Sequence, residues 1–208
     1  MISKIKGLLI AALVIFGSAA YAGNDVPNRP SHTGNAKLDS FVQSSFDLYK
    51  KNESIFKSID DIGILSAALI TDPVGFGVET GSSSVADAVS VAKSKPKKEF
   101  ANWPSLLSGR SVSDVAKDLD ADSRDVFLSR FKSIGNTYDL NHISDTGNIA
   151  DEAQTLLGSA NALVRDAPKN PFKVKKYLAA LNAAKTVLTK MAVDYPEKAS
   201  ALSGFIGL

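Results

Sequence analysis

The chain has 208 residues, 44% hydrophobic and 22% charged, with 14 glycines, 8 prolines and no cysteine. That composition excludes a disordered chain, a collagen-like fibre and a disulfide-stapled miniprotein, and the length suffices to bury a substantial core by packing alone. Lys and Arg number 24 against 22 Asp and Glu, so no strong global field draws the chain to nucleic acid.

Residues 1–22 read as a signal peptide. Lys4 and Lys6 precede the apolar stretch Leu8 to Phe16, and Ala20-Tyr21-Ala22 supplies the small-x-small pattern of a cleavage site. The apolar stretch is too short for a spanning helix, and with no cysteine there is no lipoprotein processing. Removal of Lys4 and Lys6 leaves 22 basic against 22 acidic side chains, a neutral mature chain. The expected location is the periplasm or exterior of a bacterial, Gram-negative cell.

Residues 23–35 lack apolar periodicity and are rich in Gly, Asn and Pro, the composition of a flexible arm. A single helical domain is expected over 36–208. Its first stripe, Leu38, Phe41, Val42, Phe46, Tyr49, Phe56 and Ile59, steps by three and four residues, as one long helix or as two joined near Asn52. Ile62 to Ile70 is almost wholly apolar and reads as a buried helical stretch, with membrane insertion together with Val74 to Val78 as the alternative. Asp72-Pro73 ends it.

A Gly- and Ser-rich loop follows over 73–84, then a short helix with Val85, Ala88, Val89 and Ala92 on one face, then the lysines of 93–98. Trp103-Pro104 lies in a second irregular stretch. Two capping-box-like starts come next, Ser111 with Asp114 and Asp122 with Asp125. They announce two short helices, lined by Val112, Val115, Ala116 and Leu119 and by Val126, Phe127, Phe131 and Ile134.

The clearest pattern is C-terminal. Ile149, Ala153, Leu156, Ala160 and Leu163 form one heptad seam, and Val174, Tyr177, Leu181, Ala184, Leu188, Met191 and Tyr195 form another. Asn170-Pro171 caps and opens the second helix. The short link predicts an antiparallel αα-hairpin, although such seams also close between chains, which leaves a homo-oligomer open. Pro196 opens a last helix with Ala199, Leu202 and Phe205. The expected fold class is all-α: an irregular helical bundle with a long C-terminal antiparallel hairpin.

Candidate chemistry is sparse. Asp118, Asp120 and Asp122 alternate like the first ligands of a calcium loop, but Ser123 and Ser129 stand where Gly and Glu are required. His32 and His142 have no helical His partner, so no metal site is expected. Gly75-Phe76-Gly77 lacks the third glycine of a dinucleotide fingerprint, Thr80 standing there. The Ser-x-x-Lys matches at Ser54, Ser90, Ser94 and Ser129 lack their companion motifs. No cofactor is expected and no catalytic residue is nominated. A wall-directed hydrolase is the second reading, with Glu79 and Glu99 the first carboxylates to test. A lipid or small-molecule carrier with a cavity near Ile62 to Ile70 is the third.

The leading expectation is non-enzymatic binding of an envelope or secreted protein. Its candidate contacts are the aromatic and basic residues of the middle segment: Phe100, Trp103 and Pro104 with Lys95, Lys97 and Lys98. Trp is enriched at interface hot spots; the competing reading is that Trp103 plugs an end of the bundle. Lys173, Lys175, Lys176, Lys185 and Lys190 lie off the heptad seam, as a solvated face or toward an acidic partner. In layout alone, with a long first helix, an irregular middle and a long C-terminal hairpin in an exported chain without cysteine, the sequence resembles the minor pilus subunits of type IV secretion systems. That resemblance implies a component of a secretion apparatus.

Overall fold

The structure is a computed structural model that describes residues 26–72, 100 and 102–207. The regular elements among these residues are helices, with no strand, and they pack as an all-α bundle.

Helix α1 (Ala36–Thr71) starts where the Asn35 side chain accepts the Leu38 N–H at 3.0 Å, satisfying one of the amides that a helix start leaves unpaired. It runs 36 residues without a break, about 54 Å at the standard rise. Of the two sequence readings, the structure takes the single long helix. Buried Asn52 does not interrupt it, because its Nδ2 donates to the Leu48 carbonyl at 2.9 Å and so satisfies the amide within its own helix. Ile62 to Ile70 forms the last turns of α1, with Ile62, Leu65, Ala67 and Leu69 fully buried. The helix stops at Asp72, which leaves helical geometry at φ of −140° and ψ of 81°; a following proline disfavours the helical region at the residue before it.

Trp103-Pro104 is a short helix, α2 (Trp103–Leu107), and not an irregular stretch: Pro104 sits in the first turn, where its missing N–H costs nothing. Helix α3 (Val112–Lys117) begins on the expected cap, with Ser111 Oγ accepting from Asp114 N at 3.1 Å. Helix α4 (Ala121–Thr137) starts before the expected Asp122. Its cap is Asp120, which takes the Ser123 N–H at 3.0 Å and the Ser123 hydroxyl at 2.7 Å. Arg124 locks the corner, donating to the Ala116 and Leu119 carbonyls at 2.8 and 3.1 Å. On α4 Phe127 and Ile134 are buried as expected, while Val126 is exposed.

Helix α5 (Asn141–Arg165) includes His142 in its first turn. Helix α6 (Pro171–Thr189) opens as read: Asn170 accepts from Phe172 N at 3.0 Å, and Pro171 follows it. The two helices pack against each other. Tyr177 near the start of α6 donates its hydroxyl to the Leu163 carbonyl near the end of α5 at 2.7 Å, which satisfies a buried phenol while closing the link.

The second seam continues through a π-helical segment, Lys190–Asp194, into α7 (Tyr195–Ile206). Here the Tyr195 N–H reaches the Lys190 carbonyl, five residues back. Pro196 supplies the physical reason, because its ring cannot donate and would crowd the carbonyl four residues before it. The wider turn carries Met191 and Tyr195 into the core without ending the helix. Gly207 ends α7 with φ of +84°, a left-handed cap that favours glycine.

Among the described residues two core clusters result. The first packs Leu38 to Phe56 of α1 against the seams of α5 and α6. The second packs Ile59 to Leu69 against α2, α3, α4, the start of α5 at Ile143, and Ala199, Leu202 and Phe205 of α7. Ahead of α1, the described part of the arm lies on this frame: Val26 packs on the first cluster, Arg29 pairs with Asp47 at 3.5 Å, and the His32 carbonyl accepts from Lys176 Nζ at 2.6 Å.

Candidate functional site

Of the residues put forward from the sequence, the two aromatic ones are buried. Phe100 and Trp103 are 7% and 2% exposed, so the expectation of exposed aromatics is corrected: both belong to the second core cluster. Pro104 is half-buried. Lys95, Lys97 and Lys98 lie outside the described residues, as do Glu79, Glu99, the glycine motif at 75–77 and the expected short helix over 85–92. Trp103 acts as the bundle plug. Its indole lies on Gly63 of α1, so closely that any Cβ there would overlap the ring.

Around that indole runs a polar and aromatic ladder that joins the two cores. Asp60 of α1 takes a 2.6 Å ion pair from Lys198 of α7, with only 13% and 18% of the two side chains exposed, and Trp103 Nε1 points to the same carboxylate oxygen at 3.4 Å. The Lys198 ammonium sits 4.8 Å from the centre of the Tyr195 ring, which favours the cation. Tyr195 stacks on Phe56 at 4.1 Å, and Phe56 on Tyr49 at 5.4 Å. Burial pushes the Tyr195 phenol well above its ordinary range, and the nearby Asp60 charge adds to this. Burial and Asp61 raise Tyr138 to about 12. Both phenols are therefore neutral donors at physiological pH. The ladder fixes the relative position of α1, α2 and α7; it is a positioning device.

What it positions is a groove between the α2–α3 connection and α7. Leu107 and Phe205 supply apolar floor, and Ser108, Gly109, Ser200, Ala201 and Gly204 supply small wall residues. Arg110, Asp114 and Glu197 bring both signs of charge, and the cavity volume is about 520 Å³. Gly109 turns the chain at one wall with φ of +71°, a conformation that L side chains rarely adopt. A Cβ at Gly204 would meet nothing within 4 Å, so that wall is open. Asp114 is held ionised, below the usual carboxylate range, by the Ser111 hydroxyl at 2.6 Å and by Lys117 at 3.1 Å. A carboxylate so held is an acceptor for a cationic group and not a proton donor.

Sequence reasoning did not assemble this groove. Its residues come from two segments separated by about half the chain, and most are small, with no periodicity to flag them. Of the other proposed chemistry, Asp118 and Asp120 serve as helix caps of α3 and α4. Ser54, Lys57, Ser129 and Lys132 are exposed on helix surfaces, and no group of three metal-ligating side chains occurs among the described residues. Among the described residues no helix is long and apolar enough to cross a membrane. Compared with known proteins, the chain matches no family model, no curated protein and no solved structure.

Proposed function

We propose that this chain is an exported, non-enzymatic binding protein whose α2–α7 groove receives a segment of an envelope or secreted protein. The observation that carries the reading is the groove itself: an apolar floor at Leu107 and Phe205, small walls, and Arg110 facing a site that also holds Asp114 and Glu197. Small walls allow close approach of another backbone, and fixed charges of both signs select orientation. The export half of the proposal rests on the leader over residues 1–22.

The carrier reading has less support. Ile62, Leu65 and Leu69, which were to line a cavity, are fully buried in a cluster with Trp103, Leu107, Phe127 and Phe205. Glu53 and Glu152 are exposed on helix surfaces, and Glu197 is the glutamate of the groove.

The test is crosslinking of the protein in its native envelope, followed by identification of what is attached. Gly204→Trp is the comparison, because it places bulk in the groove from a position where a Cβ meets nothing within 4 Å. A stoichiometric protein lost in the variant supports the reading. A partner retained by a folded Gly204→Trp variant overturns the groove assignment, and wall-glycan fragments lost on Glu197→Gln point to a hydrolase.

A further inference from the structure

Among the described residues the most exposed large apolar side chain is Phe172, 90% exposed, whereas the other exposed large apolar ones reach only about 40%. It stands in the first turn of α6, directly after Pro171 and beyond the α5–α6 link. The surrounding segment, residues 165–176, holds five basic side chains, Arg165, Lys169, Lys173, Lys175 and Lys176, and one acidic one. That single carboxylate, Asp166, is already paired with Lys37 at 3.3 Å. Lys175 and Lys176, three and four residues after Phe172, share its helix face, while Tyr177 faces the core.

We propose that this end of the bundle is a membrane-surface contact, in which Phe172 inserts into the headgroup region of an anionic bilayer while Lys173 and Lys175 beside it face lipid phosphates. Charge complementarity selects an anionic occupant, and the shape selects a bilayer over an acidic protein. A side chain this exposed has little of its own chain packed around it, whereas a stable protein interface takes roughly 800 Å² from each partner. A fluid headgroup layer closes around a protruding ring with no preformed pocket. An aromatic ring beside clustered lysines is the chemistry of interfacial anchoring, in which apolar burial and attraction to anionic lipid add. The mature chain is neutral in sum, so the contact is a local concentration of charge at one pole and not a property of the whole surface.

The experiment is co-sedimentation of the full chain with phosphatidylcholine vesicles, with and without phosphatidylglycerol, against Phe172→Ala and against Lys173→Gln with Lys175→Gln. The leader contributes equally to every variant, so the differences report the tip. Phosphatidylglycerol-dependent binding is expected to fall roughly tenfold on Phe172→Ala, to fall roughly twentyfold on the double lysine change, and to weaken as salt is raised. Phe172→Trp is expected to blue-shift its emission on adding those vesicles. Unchanged binding by Phe172→Ala, or an unshifted Phe172→Trp emission, overturns the proposal. Binding to soluble polyglutamate that is indifferent to Phe172→Ala also overturns it, in favour of an acidic protein partner. Because Phe172 is almost wholly exposed, these variants retain the fold, and their helical circular dichroism checks this.

Discussion

Gly63 and Trp103 fit as notch and plug: the indole occupies the space that a side chain at position 63 would fill, and its Nε1 faces Asp60 one turn earlier on the same helix. A glycine in the interior of a 36-residue helix is unfavourable by about 1 kcal/mol relative to alanine. Here that cost secures the docking of α2 onto α1, and with it the Leu107 side of the groove.

Gly63→Ala therefore runs against helix propensity. Its Cβ overlaps the indole ring, and relief requires moving the plug, for a net loss of about 1–3 kcal/mol. Gly158→Ala in α5, where a Cβ meets nothing within 4 Å, is expected to stabilise by about 0.5–1 kcal/mol. Trp103 is the sole tryptophan of the chain, so urea titration followed by its fluorescence reads both stability and plug position. A red-shifted, weakened Gly63→Ala beside a strengthened Gly158→Ala is the expected pair, and equal stabilisation of both would refute the notch.

The Asp60–Lys198 pair links α1 to α7 with both side chains largely buried. Removing one partner leaves a charge in a poorly solvated place, so Lys198→Met is expected to cost roughly 3 kcal/mol. Asp60→Asn in the Lys198→Met background should cost much less than the two single losses together, because the second change removes the stranded charge. A double-mutant cycle by urea denaturation measures this, and simple additivity would mean the pair is not coupled.

What the sequence reveals here is periodicity and capping. Leu38 to Ile59, Ile149 to Leu163 and Val174 to Tyr195 repeat at helical spacing, and Asn170-Pro171 and Ser111 announce starts that the structure contains. The start of α4 was misread by two residues because Asp120 and Asp122 are equivalent as caps in sequence, and only the corner held by Arg124 selects the first. Sequence leaves Trp103 between an exposed contact and a bundle plug, because its five-residue helix is too short to show periodicity and its partner, Gly63, lies 40 residues earlier with no side chain to advertise a contact. The π turn before Pro196 was hidden for another reason: a heptad count passes through it unchanged. The groove needs α2 and α7 brought together, a tertiary fact that no local pattern carries.

Acid should loosen the arm before the bundle. Asp39 accepts from Thr33 N at 2.7 Å, from Thr33 Oγ1 at 2.8 Å and from Gly34 N at 3.1 Å, tying residues 33–34 to α1. The Thr33 amide is the main cause that holds its pKa below the ordinary 3.8. A depressed carboxylate contributes stability above its unfolded value and loses it as pH falls through the folded one. Amide exchange at Thr33 and Gly34 should therefore rise, relative to that of α1, below about pH 4. Asp39→Asn should show raised exchange near neutrality with little further change in acid. Protection of Thr33 that is insensitive to Asp39→Asn would exclude the carboxylate as the tie.

At the alkaline end the sign reverses. Tyr138 is raised to about 12 by burial and by Asp61, and Tyr195 is raised by burial and by Asp60, against an ordinary 10.0. The folded state holds these protons more tightly than the unfolded chain does. Their contribution is complete below about pH 10 and declines as pH rises toward the folded values, because unfolding then releases protons. The urea midpoint should fall steadily above about pH 10, with a shallower fall in Tyr138→Phe and in Tyr195→Phe. Tyr195→Phe keeps the ring that stacks on Phe56 and removes the ionisable oxygen. Its alkaline slope therefore isolates ionisation from packing, and a slope identical to that of the parent would show that the loss arises at other groups.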